Sequence, residues 1–164
     1  MTIYVKNKHT LQIDDFKFRC SIGKKGATKY KKEGDKKTPR GTFEIENLYL
    51  RKDRKERPLT VLKIVEIKKN MGWCNDIRFP KKYNKLFKIS KKIKHEKLKR
   101  KDCKYDLLIP IKYNFKKPVV GLGSCIFLHL TQNYKPTAGC IALKKKDFLI
   151  MLKIIKKKTK IRIN

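Results

Sequence analysis

The stretch Gly121-Leu122-Gly123-Ser124-Cys125-Ile126-Phe127-Leu128-His129-Leu130, with Pro136-Thr137-Ala138-Gly139-Cys140-Ile141-Ala142-Leu143 close behind it, decides how the chain reads. Each half holds an apolar run of strand type. Asn133-Tyr134-Lys135-Pro136 is a polar, proline-containing turn between them. It folds the chain back, leaves both strand ends at one edge and brings an imidazole and a thiol together. That pair suffices for nucleophilic catalysis, because the thiolate attacks while the imidazole takes and returns the proton. Residue types alone favour a core cysteine and a satisfied core histidine. The surroundings tip the reading. Gly139 lets the backbone approach a ligand closely, and amides beside a nucleophile can hold an oxyanion.

Working outward, the flanking chain reads mainly as short strands. Ile3–Val5, Leu11–Ile13 and Phe16–Ile22 lie between polar turns such as Asn7-Lys8-His9 and Asp14-Asp15. His9 falls in a turn and has no assigned role. Gly23 to Gly41 is a long polar loop. Its glycines do not follow GxxxxGKS/T, so it is not a phosphate loop. Loops of this length in a compact domain carry function or are disordered, and this one is expected to wall an active-site cleft. Thr38-Pro39-Arg40-Gly41 reads as a fixed turn before a strand at Thr42–Ile45.

Leu59–Ile67 is apolar and β-branched, which predicts a central strand. Gly72-Trp73-Cys74-Asn75-Asp76 reads as a turn bearing the only tryptophan, a packing anchor first and a substrate contact second. Pro80 to Lys101 is very basic, a loop with one short helix and an exposed His95. Tyr105–Tyr113 is a strand that Pro110 assigns to an edge or a bulge. Asp106 near its start is a candidate to orient a catalytic imidazole, although capping a strand or pairing with lysine is the commoner use. Phe148, Met151, Leu152 and Ile155 recur at helical spacing, so a helix is predicted over 147–155, then a strand at Lys160–Ile163. The fold class is therefore mainly β with one α-helix in the C-terminal region, in a single domain over 1–164.

The chain has 46 Lys and Arg against 14 acidic residues, a net charge of +32. Such a balance fits a nucleic-acid binder, an enzyme steered to an anionic polymer, or merely a lysine-, isoleucine- and asparagine-rich coding bias. The lysines run along the whole chain, and no basic-aromatic alternation marks a stacking platform. A nucleic-acid partner is therefore disfavoured. Five cysteines leave at least one unpaired within the chain. Cys20 and Cys125 read as buried small hydrophobes, and only elimination suggests a Cys74–Cys103 bridge. No spacing fits a zinc site, and no apolar run is long enough to span a membrane. Met1–Lys6 opens directly as a strand, with no visible signal peptide.

With these residues in view, the chain resembles the L,D-transpeptidase catalytic-domain family, in the compact branch carrying GSxIFxH and PTxGC. The likeness rests on Lys32-Glu33-Gly34-Asp35, Thr38–Phe43, Gly72–Asp76, Tyr83-Asn84, Tyr105-Asp106 and Tyr113-Asn114. It continues through Gly123-Ser124, Phe127, His129 and Pro136–Cys140. The resemblance implies a β-sandwich-like catalytic fold and cysteine acyl transfer on peptidoglycan stem peptides. The enzyme would attack after the third stem residue, release D-alanine and pass the acyl group to an amine, cross-linking the wall that sets cell shape. Cys140 would be the nucleophile, His129 the general base and then acid, and the Gly139-Cys140 amides the oxyanion donors. Water in place of the amine would make it an L,D-carboxypeptidase.

The broader family carries a histidine where Ala138 stands and an arginine or asparagine where Ala142 stands. Substrate anchoring must then come from elsewhere, with Arg40, Ser124 and Trp73 as candidates. The resemblance implies no cofactor and a place in the periplasm or cell envelope. The missing signal peptide leaves a cytoplasmic location open, and a monomer is favoured. A basic nucleic-acid module and a wall binder with a decayed site are the competing readings.

Overall fold

The computed structural model describes residues 1–164. Its first three strands follow from period-two alternation. β1 (Thr2–Lys6), β2 (Thr10–Ile13) and β3 (Phe16–Ser21) form an antiparallel meander. Ile3, Val5, Leu11, Ile13, Phe18 and Cys20 alternate onto its buried face. Asn7 and Asp14 make the two turns at positive φ, which these side chains tolerate. Beyond them, β4 (Ala27–Thr28) and β5 (Thr38–Pro39) pair in parallel within the long polar loop. Thr38-Pro39 is thus a strand rather than half of a turn, and β6 (Gly41–Glu44) follows.

β7 (Leu48–Leu50) pairs with β8 (Ile64–Glu66). The predicted central strand over 59–67 is reduced to those three residues at the sheet edge, with Leu59 and Val61 exposed. Gly72–Cys74, expected as a turn, lies in β9 (Met71–Cys74), the middle of a three-stranded sheet with β10 (Leu86–Lys88) and β11 (His95–Lys97). The helix expected between Pro80 and Lys101 is absent, and His95 is half-buried against Phe87. β12 (Leu107–Pro110) lies inside the large sheet rather than at its edge and ends at Pro110, beyond which the Ile111 N–H donates to the Ile126 carbonyl.

β13 (Phe127–Leu130) and β14 (Ile141–Leu143) run parallel, not as a hairpin. The connection over 131–140 therefore returns to the starting edge, so that Cys140 begins beside Phe127. Helix α1 (Lys145–Ile154) buries Phe148, Met151 and Leu152. A ten-residue helix is marginal alone. Each of those side chains contributes about 2 kcal/mol by burial, so docking holds the helix in place. β15 (Lys160–Ile163) ends the chain parallel to β1.

The large sheet has ten strands in the order β6-β15-β1-β2-β3-β14-β13-β12-β7-β8 and curls around a core of 24 buried residues capped by α1. A second cluster of eight includes Tyr49, Trp73, Tyr105, Leu108, Phe127 and Cys140. Leu128 and Leu130 of β13 point into the first cluster and Phe127 into the second. The small sheet therefore packs on the outer face of the central strands. The fold is mainly β with a single helix, as expected.

Candidate active site

His129 lies on the same face of β13 as Phe127. The β13–β14 register sets Leu128 opposite Ile141 and His129 opposite Ala142. Carried back one residue, it sets Cys140 opposite Phe127, on the face that His129 shares. One strand across and two residues along places their Cα atoms about 8 Å apart. Both side chains line one cleft of ≈ 740 Å³, with Tyr105, Thr137 and Ala138.

The His129 ring has a defined tautomer. Its Nδ1 lies 2.9 Å from the Leu130 carbonyl, which can only accept, so Nδ1 carries the hydrogen and Nε2 is bare. The ring packs edge-on to Tyr105 at 5.4 Å. Burial, reinforced by the charges of Lys104 and Arg100, pulls its pKa down to about 4 despite the opposing Leu130 bond. Cys140 Sγ donates to the Cys125 carbonyl at 3.1 Å. Burial pushes its pKa up to about 12, against the lowering pull of the Phe127 amide, Lys31 and Arg100. At rest the pair is a neutral thiol and a neutral imidazole.

Gly139 sits at φ +147°, where a Cβ would lie 2.9 Å from the Lys37 carbonyl oxygen. Only glycine fits without displacing backbone. Its N–H donates to Thr137 Oγ1 at 3.1 Å, so this amide is engaged rather than offered as an oxyanion donor. The Thr137 hydroxyl in turn donates to the Cys140 carbonyl. The Cys140 N–H makes no hydrogen bond within the chain and is the amide left free for a developing oxyanion.

The remaining candidates divide. The Asp106 carboxylate is buried and faces Arg54 and Lys55, each at 3.4 Å, so it does not orient His129; the Leu130 carbonyl does. Arg40 opens onto a separate surface hollow with Lys29 and Arg162, away from the thiol. Ser124 is buried, and its hydroxyl donates to Glu33 at 2.6 Å, beside a bond from Tyr83 to the same oxygen. It pins the loop before β13 rather than facing the cleft. Trp73 is buried too, packed against Phe127, with its indole N–H on Asn84. The loop over 23–41 does not line the cleft either; it backs the site through Lys37 and Glu33.

Sequence reasoning gave no role to Asn84, which holds the site together. Its Oδ1 accepts both the Trp73 indole and the Cys125 N–H, and its Nδ2 donates to the carbonyls of Tyr113 and Asn114. It thereby fixes the Cys125 carbonyl over the thiol. Glu96, Arg100 and Lys104 on the cleft wall were also missed. They sit in a lysine-rich run where nothing local separates a wall residue from a solvated one. All five cysteines are free, so the Cys74–Cys103 bridge is not formed. No three His, Cys, Asp or Glu side chains gather as a metal set.

No curated protein matches the chain. Among solved structures, an L,D-transpeptidase from Mycobacterium smegmatis is similar at 15% identity and a TM-score of 0.43. That match covers 99% of this chain and 57% of the other, so the chain spans little more than half of that protein's length. The YkuD family model, described as the L,D-transpeptidase catalytic domain, matches residues 1–163. The chain belongs to the L,D-transpeptidase catalytic-domain family.

Proposed function

We propose that this protein is a cysteine acyltransferase acting on peptidoglycan stem peptides at the cell envelope. One observation carries the reading: a thiol and a bare imidazole nitrogen open onto one cleft beside an unengaged amide. Because the resting pair is uncharged, proton transfer accompanies attack rather than preceding it. His129 Nε2 removes the Cys140 proton as the sulfur closes on the carbonyl carbon of the third stem residue. The new oxyanion sits at the Cys140 N–H. His129 returns the proton to the departing D-alanine amine, leaving an acyl thioester. An incoming amine then repeats the sequence, and water in its place would give hydrolysis.

Five cations line the cleft, Arg54, Arg100, Lys101, Lys104 and Lys135, against Glu96 and Asp102. That balance suits a carboxylate-bearing donor and supplies the anchoring that Ala142 cannot. Incubation with a carbapenem is expected to add one acyl mass on Cys140 and none in Cys140→Ala. An adduct on another cysteine, with Cys140 untouched, defeats the reading.

A further inference from the structure

The cleft is built for anions, yet the second substrate of an acyl transfer to an amine arrives as a cation. A primary amine of lysine type has a pKa near 10.4 and is an ammonium at neutral pH. Five positive side chains repel it. Two acids are set among them. Asp102 is fully engaged: Arg100 donates to both its oxygens, at 2.7 to 3.2 Å, and the Lys104 N–H donates to one. Glu96 is not. Its Oε1 accepts from Arg100 Nη1 at 2.8 Å, while its Oε2 receives no hydrogen bond within the chain. Its side chain is 29% exposed on the cleft wall.

The backbone fixes where Glu96 sits. Glu96 lies in β11 opposite Trp73 of β9, which packs on Phe127, the residue beside Cys140. Arg100 braces it from the other side, stacked 4.9 Å above Tyr105, whose ring contacts His129. The Glu96 charge helps raise the pKa of the Cys140 thiol, and those of Cys125 and Tyr105 as well.

We infer that Glu96 is the acceptor-binding residue, its free carboxylate oxygen receiving the ammonium of the incoming amine beside the acyl thioester. This rests on the acyltransferase reading and adds the residue that receives its amine. One ammonium proton leaves to water. The freed nitrogen attacks the thioester carbon, the C–N bond forms and the C–S bond breaks. His129 takes a second proton and hands it to the departing Cys140 sulfur, and the third stays on the new amide. Glu96 thereby sets the balance between cross-linking and hydrolysis.

The test uses the full chain, a stem-tetrapeptide donor and two acceptors, Nα-acetyl-lysine amide and hydroxylamine, the second uncharged at neutral pH. Mass spectrometry reads the ratio of aminolysis to hydrolysis. Glu96→Gln keeps the bond to Arg100 and is expected to lower the lysine ratio at least tenfold, through a higher KM for the amine. The hydroxylamine ratio should fall less than twofold, and Glu96→Asp should recover part of the lysine ratio. An unchanged lysine ratio overturns the inference. So does an equal fall for both acceptors, which would make Glu96 only a prop for Arg100. If the unaltered protein forms no acyl-enzyme with the donor, both this inference and the acyltransferase reading fail.

Discussion

At the scale of the residue, His129 pays for its position in protonation. Its ring is neutral when folded, with a pKa drawn down to about 4 from an ordinary 6.5. Between those values the unfolded chain binds a proton that the folded chain refuses. The ring's contribution is therefore whole above pH 6.5 and lost as pH falls through 4. Urea unfolding at pH 7, 5.5 and 4 should show a loss of about 3 kcal/mol from this source, absent in His129→Gln. Gly139 gives a second residue-scale expectation. Alanine there meets the Lys37 carbonyl and strains the backbone at about 2 kcal/mol. Calorimetry should read a Tm lower by about 6 °C.

At the scale of the element, the loop over 121–126 decides how the thiol is held, and Asn84 decides the loop. Asn84→Ala leaves the Trp73 indole and the Cys125 amide without an acceptor in a buried setting. The expected cost is about 3 kcal/mol, read by urea melts, with carbapenem acylation slowed at least tenfold because the Cys125 carbonyl is no longer fixed. Elements were legible where their pattern is local. β1–β3 alternate, and α1 keeps its 3.6 period over two turns, so both read directly. The small sheet did not, because Leu86-Phe87-Lys88 and His95-Glu96-Lys97 are three residues long and the second is wholly polar. Leu59–Ile67 misled for the opposite reason: Leu59 and Val61 are apolar but exposed, which composition cannot reveal.

At the scale of the whole molecule, the pairings that matter join distant segments. β15 lies between β1 and β6, and β13 lies parallel to β14. No local window encodes them, and the parallel return over 131–140 read as a turn. Cys140 and His129 were legible as a pair from their flanking motifs. The cleft wall was not, since Glu96 and Arg100 come to line the cleft with Cys140 only through the tertiary fold. The +32 charge also belongs to this scale. Raising salt from 50 to 300 mM should lower kcat/KM for a carboxylate-bearing donor about tenfold, through KM, as screening shortens the field. An uncharged donor should change little in the same assay.

The carbonyl of Cys125 over a sulfur that keeps its hydrogen has a consequence for survival. Peroxide attacks thiolates, and the road to sulfenic and irreversible sulfonic acids begins there. A buried sulfur that keeps its hydrogen enters that road slowly, so peroxide is expected to oxidise Cys140 more slowly than an exposed thiolate.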